Sequence, residues 1–290
     1  MPDLDLLIPS AINGLTTGAV YALIALGLTL IYGVLHIINF AHGSLLMLAM
    51  YGVFFLQTLF GIDPYMAIPI MVPVMFALGY SLQRGVIGRA SHGKDENILL
   101  VTLGLAIVID NLALYFWRSD TRIIDTPYAF ATLEFGPVLV ATPKVIALLA
   151  AIVIATLFWL LMTRTDLGKA IRAVAKEKTG SRLVGINVDH VYAMSFGLGI
   201  ACLGAAACLL LPTFYVSPHV GNAFVLIAFT VVVLGGMGSF MGAVLGGLVI
   251  GVTESLGGLY LGESLGQIGI FVLFILVLLF RPSGLLGQRS

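Results

Sequence analysis

The sequence predicts an all-α, polytopic transmembrane helical bundle, and three observations carry that reading. Sixty per cent of the residues are hydrophobic and ten per cent charged, where a soluble globular domain has about a quarter charged. Mean hydropathy is +1.09. The apolar residues gather into stretches close to the ~20 residues that cross a hydrocarbon layer. A single transmembrane domain over residues 1–290 is expected. Formal net charge is zero, so nucleic acid is not attracted wholesale and no nucleic-acid partner is expected. The opening Met-Pro-Asp-Leu-Asp-Leu has two acids and no base, unlike the positive start of a signal peptide.

Nine apolar segments, give or take one, follow along the chain. The first, near 10–33, places Asn13, Thr17 and Tyr21 four residues apart, so one helix stripe holds all three. The second, 37–60, opens with His36-Ile37-Ile38-Asn39-Phe40-Ala41-His42-Gly43-Ser44. Two readings fit that opening: a wet turn with solvated histidines, or an irregular segment lining a pathway, since unpaired polar groups facing lipid are costly. The third, 65–88, ends on Arg84, the first base in the chain. The fourth, 97–117, carries Asp110 and Asn111; the acid is either functional or an interfacial partner of Arg118 or Arg122. The connection 118–142 is the longest on its side and, with Pro127 and Pro137, reads as a small lid or docking surface.

The fifth segment, 143–163, leads into 163–189, which holds six of the fourteen basic residues: Arg164, Lys169, Arg172, Lys176, Lys178 and Arg182. Leu167, Ile171, Val174 and Ala175 recur at helical spacing, so this short stretch has one apolar and one charged face. About 13 residues of helix, roughly 20 Å, cannot span a bilayer but suit a groove on a partner. The sixth segment, 190–211, holds Cys202 and Cys208 on different helix faces, which suggests neither disulfide nor metal site. The seventh and eighth, 223–238 and 241–260, are short and split only by Met237-Gly238-Ser239-Phe240, so broken helices are expected. Gly235, Gly236, Gly242, Gly246, Gly247 and Gly251 allow close backbone approach there, for tight packing or, less commonly, a gate. Glu254 lies in the eighth, and 266–281 is the ninth. His92, His190 and His219 fall at span edges.

Charge orients the bundle. With 84–96, 163–189 and the C-terminal tail in the cytosol, eleven bases lie inside and three outside, which favours an external N-terminus and a cytosolic C-terminus. There is no Walker-type phosphate loop, no zinc-binding His-Glu-x-x-His and no nucleophile motif, so no catalytic or metal site is expected in this chain. A self-sufficient ion-coupled secondary transporter would show coupling acids paired across a repeat, and no convincing repeat accompanies Asp110 and Glu254.

Tyr21-Ala22-Leu23-Ile24-Ala25-Leu26-Gly27, Ile31-Tyr32-Gly33 and Ile38-Asn39-Phe40-Ala41-His42-Gly43 resemble the opening of LivH-type permeases of branched-chain amino acid ABC importers. The resemblance continues through Leu167-Gly168-Lys169-Ala170-Ile171-Arg172-Ala173 with Gly185-Ile186, Val233 to Gly238, Gly251 to Glu254, and Arg281-Pro282-Ser283-Gly284-Leu285-Leu286-Gly287. It covers nearly the whole chain in order. It implies the bacterial inner membrane, a LivM-type second permease, two ATP-binding subunits of LivG and LivF type that bind ATP and Mg, and a periplasmic substrate-binding protein. It also implies a pathway at Tyr21, Asn39, His42, Ser44, Gly235, Gly236, Ser239 and Glu254, and ATPase coupling through Gly168, Arg172, Ala173 and Gly185. Asn39, His42 and Ser44 are expected to face Gly235 to Ser239 beside the solute. Ser44 stands where the family often has Glu, which extends the implied cargo to aromatic or other small carboxylates and urea.

Overall fold

The computed structural model describes residues 4–90, 95–135, 138–281 and 284–286. The elements are α1 (Leu4–Leu35), α2 (His42–Phe60), α3 (Ile68–Ala90, with a π turn at Gln83–Ile87), α4 (Asp95–Trp117), a hairpin of β1 (Thr132–Phe135) and β2 (Val138–Ala141), α5 (Thr142–Arg164), α6 (Asp166–Lys176), α7 (Lys178–Leu183), α8 (Val188–Leu210), α9 (Val220–Gly235), α10 (Phe240–Leu261) and α11 (Glu263–Phe280). Among the described residues seven helices are long and apolar enough to cross a membrane. They are α1 to α5, α8 and α10; Val220–Gly235 and the apolar run Ile268–Phe280 are shorter. The nine apolar segments read from the sequence therefore fall on seven long helices and two short ones. Positions 91–94, including His92, lie outside the described residues, as do Pro137, Pro282, Ser283 and 287–290.

Two helices, α1 and α8, form the centre and are buried along most of their length. Glycine sets how closely the others approach. A Cβ on Gly18 would sit 2.6 Å from the Gly247 carbonyl oxygen, and one on Gly247 would sit 2.6 Å from the Ala22 Cα. Gly246 meets the Val231 carbonyl and Gly242 meets Gly235, so α10 offers one glycine face to α1 and another to α9. This is small-residue packing, in which short side chains let backbones touch. On its other side α8 packs against α3, where Gly197, Gly204 and Gly79 receive Phe76, Met71 and Ile200.

The chain does not pass directly from α1 into α2. After Leu35, His36 takes φ 56 and is exposed, while Ile37, Asn39 and Ala41 are buried. His42 then opens α2 with its Nε2 3.0 Å from the Ile24 carbonyl oxygen. Ile24 lies eleven residues before the end of α1, about 16 Å along its axis. The segment 36–41 therefore folds back into the bundle, and α2 starts deep inside it. Of the two histidines, only His36 is solvated.

At one end the stretch leading into the hairpin is tied down by side chains from the last turn of α2 and from the α2–α3 connection. Tyr128 donates to Asp63 Oδ2 at 2.5 Å, Gln57 donates to the Asp125 carbonyl at 3.1 Å, and Tyr65 stacks on Tyr128 at 5.4 Å. Burial, followed by the Asp63 bond and charge, raises the Tyr128 hydroxyl well above the ordinary tyrosine range. The opposite end carries α6 and α7. Thr165 caps α6 by accepting from the Gly168 amide at 3.1 Å, and Glu177 caps α7 by accepting from the Thr179 amide at 2.9 Å.

The expected single amphipathic helix is instead an eleven-residue helix and a six-residue one, broken where Glu177 is extended at φ −154. The cause is local: Glu177 leaves the helix to cap the next, and Thr179-Gly180-Ser181 follows with weak helix formers. A second expectation is also corrected. The apolar face of α6 does not await a partner, because Ile171 and Val174 are 1% and 3% exposed within the bundle's own core.

Candidate functional site

A cavity of about 1210 Å³ opens at the hairpin end. The stripe Asn13, Thr17 and Tyr21 on α1 lines one wall, Glu254 and Ser255 on α10 another, and Lys144 at the start of α5 a third. Val20, Leu210, Phe214 and Phe224 supply apolar surface. Its deepest level on α1 is Tyr21, whose ring meets Phe224 edge-on at 6.2 Å, with Phe214 on the far side of Phe224 at 5.3 Å. These aromatics form the floor. Tyr21 and Glu254 both line the cavity, and Lys144 Nζ donates to Asn13 Oδ1 at 3.3 Å. Lys144 closes on no acid: the ion pairs among the described residues are Lys169–Asp166 and Arg182–Asp189. Lys144 and the two acids of the lining, Glu254 and Asp125, face the cavity without closing on one another.

One turn below the floor, on the level of Ile24, lies the re-entrant opening of α2. Asn39, His42 and Ser44 are 0%, 0% and 4% exposed. Asn39 Oδ1 accepts from the Ala41 amide at 3.1 Å, while Asn39 Nδ2 and His42 Nδ1 have no protein partner. Irregular backbone and polar side chains at such a depth are tolerated where protein buries them or a cavity meets them. A Cβ on Gly43 would sit 2.9 Å from the Val225 Cβ and closer still to the Gly221 carbonyl, so α2 begins against the first turn of α9.

The structure does not bring these residues together with Gly235 to Ser239, as the sequence led one to expect. The glycine turn lies at the other end of α9, nearest Gly242, Gly33 and the C-terminal tail. Ser239 caps α10 through a 3.1 Å bond from the Gly242 amide. The amides of Leu285 and Leu286 donate to the carbonyls of Leu234 and Gly235 at 2.7 and 3.0 Å, satisfying acceptors that a helix end leaves free. Gly236 turns at φ 100, and Gly284 packs on its amide. The closing Gly-Leu-Leu motif thus serves as a strap on α9. The signal missed in the sequence was offset: one polar stretch starts α2 against the beginning of α9, while the other follows its end.

The four residues expected to meet the ATPases, Gly168, Arg172, Ala173 and Gly185, sit at the basic end. Gly168 is buried, with a would-be Cβ 2.7 Å from the Leu161 carbonyl oxygen and nearer that of Met162. Arg172 is exposed and its guanidinium donates to that same Met162 carbonyl. Ala173 is exposed beside it. Gly185 has φ 87, and the Ile186 amide bonds the Ser181 carbonyl at 3.0 Å, a left-handed cap that favours glycine. Just before it, Leu183 and Val184 are 85% and 76% exposed. Arg84, Arg89, Lys178 and Arg182 surround an adjoining cavity of about 540 Å³.

Asp110 forms no ion pair with Arg118 or Arg122 among the described residues, and Asn111 donates to the Ile107 carbonyl at 2.7 Å. Cys202 and Cys208 are free and buried. No group of three or more His, Cys, Asp or Glu among the described residues could hold a metal. In the sequence Lys144 counted only as one of the three external bases, with Arg118 and Arg122; the fold turns it toward Asn13.

Seven long apolar helices packed around a largely apolar cavity with a few polar and charged groups are those of a multi-pass helical membrane protein. The chain belongs to the family described as branched-chain amino acid transport system / permease component, whose match covers residues 10–279. It is 35% identical over 303 residues to the high-affinity branched-chain amino acid transport system permease protein BraD of Pseudomonas aeruginosa, covering 99% of this chain and 98% of that one. It is 32% identical over 292 residues to the corresponding protein LivH of Escherichia coli, covering 95% and 94%. The permease protein LivM of Salmonella typhimurium matches at 24% identity over 304 residues, covering 93% of this chain and 68% of LivM. No solved structure matches the chain.

Proposed function

We propose that this chain is one permease subunit of an ATP-driven importer for branched-chain amino acids. The observation that carries the reading is the family match across residues 10–279. The chain has no Walker-type phosphate loop of its own, so hydrolysis of ATP with Mg falls to two partner ATPases of LivG and LivF type. A LivM-type permease completes the membrane portion, and a periplasmic binding protein delivers the solute to the hairpin end. In the inner membrane the hairpin end faces the periplasm and the basic end the cytosol, with the N-terminus outside and the C-terminus inside. The ATPases grip Arg172, Ala173, the Leu183-Val184 tip and Gly185. Their closure shifts α6 and α7, and because α6 is latched to the end of α5 at Met162, the shift reaches the helix that carries Lys144. Alternating access follows as a rigid-body movement. The pathway runs from the cavity at Tyr21 and Glu254, past the floor, toward Asn39, His42 and Ser44, with Gly235, Gly236 and Ser239 as the glycine turn at its inner end.

Affinity purification of the tagged chain from its native membrane tests this. Two ATP-binding subunits and a second permease should co-elute stoichiometrically. A chain that elutes alone and moves solute on an ion gradient would instead be a secondary transporter.

A further inference from the structure

We propose that the cavity at the hairpin end is a transit site for a zwitterion: Lys144 and Asn13 receive the carboxylate of an amino acid, and Glu254 and Tyr21 receive its ammonium group. The inference rests on the importer reading above and names the groups that would meet its cargo. Three observations carry it. The cavity is lined by one cation, Lys144, and by two acids, Glu254 on α10 and Asp125 before the hairpin; Lys144 is bonded to neutral Asn13 and forms an ion pair with neither acid. Ionisable groups that stay apart in an apolar-walled cavity are candidates for function, because an uncompensated charge is costly to keep there. Lys144 occupies the first turn of α5, where the helix dipole disfavours a cation and an anionic ligand is attracted. The intervening walls, Val20, Leu210, Phe214 and Phe224, are apolar, which fits a hydrocarbon side chain beside the two charges.

The same arrangement discriminates among cargoes. A small carboxylate would satisfy Lys144 and leave Glu254 facing an anion, while urea would leave both charges unpaired; unpaired charges are penalised where water is scarce. At about 1210 Å³ the space exceeds the roughly 300–1,000 Å³ of ordinary small-molecule sites. Contact is therefore loose, as passage requires, and affinity is left to the delivering receptor.

The test uses the importer purified with its co-encoded subunits, reconstituted into proteoliposomes with its binding protein and radiolabelled leucine. Lys144→Met and Glu254→Gln should each lower leucine turnover about tenfold or more, the scale of a lost charge-assisted hydrogen bond. Each variant should still co-elute with the other subunits in the unmodified stoichiometry. Lys144→Arg should keep most turnover. The double reversal Lys144→Glu with Glu254→Lys should exceed either single reversal, a rescue that a merely structural role would not give. The proposal is overturned if both neutralised variants transport at the unmodified rate. It is equally overturned if Lys144→Arg and the double reversal fall as low as Lys144→Met. If the unmodified complex hydrolyses ATP with its charged receptor but takes up no amino acid, the importer reading fails first and the site with it, before any variant is made.

Discussion

Gly168→Ala should uncouple ATP hydrolysis from uptake while leaving the bundle in the membrane. An added Cβ would lie 2.7 Å from the Leu161 carbonyl oxygen and closer to that of Met162, where carbon and oxygen normally rest about 3.3–3.6 Å apart. The start of α6 must therefore move off α5 by at least ~0.6 Å. The obstacle is backbone, which cannot swing aside as a side chain would. Forcing a methyl into such a site costs about 1–3 kcal/mol, and each ~1.4 kcal/mol is a factor of ten. The displacement also strains the bond from Arg172 to the Met162 carbonyl, so both fastenings of α6 weaken together. The assay is leucine uptake per ATP hydrolysed in proteoliposomes containing the complete importer. The ratio should fall about tenfold, with receptor-stimulated hydrolysis still measurable. An unmodified ratio in Gly168→Ala at equal abundance would refute the idea that the α5–α6 latch transmits movement.

Three further outcomes follow from the same geometry. Gly185→Asn should transport better than Gly185→Ala, because φ 87 is tolerated by Asn more readily than by Ala; equal uptake by the two would show that the cap does not matter. Single cysteines replacing Leu183 and Thr132, both exposed, in a background lacking Cys202 and Cys208 should be labelled from opposite sides of the membrane; Ser181 is a poor reporter, being 5% exposed. The Tyr128 hydroxyl is raised above the ordinary range, so the stability its bond to Asp63 gives the hairpin should be complete below about pH 10 and lost above it. Tyr128→Phe should accelerate hydrogen exchange around 125–131 at neutral pH, and unchanged exchange would count against that anchor.

Much of the fold was legible because hydrocarbon leaves few options: long apolar stretches can only be helices when they span a bilayer. The weak helix formers Thr179-Gly180-Ser181 lie within the short α7, just past the break at Glu177. The site was only half legible. Asn13, Thr17 and Tyr21 formed a stripe by spacing alone, but Lys144 looked like an external base until α5 placed it across from Glu254. The fold-back at 36–41 left no periodic signal, since six irregular residues carry no period, and so His42 could not be assigned to Ile24. Gly235 and Gly236 invited a pathway reading because bare glycines suit a gate as well as a turn; the strap of Leu285 and Leu286 was a long-range pairing that no local pattern discloses.

The central claim is that this chain passes amino acids only as part of an ATP-driven complex. Proteoliposomes holding the purified complex, the charged receptor and trapped ATP with Mg should accumulate leucine. Omitting ATP, the receptor or this subunit should each abolish accumulation. Uptake by the lone subunit under an ion gradient, or uptake by the complex that persists without ATP, would contradict it.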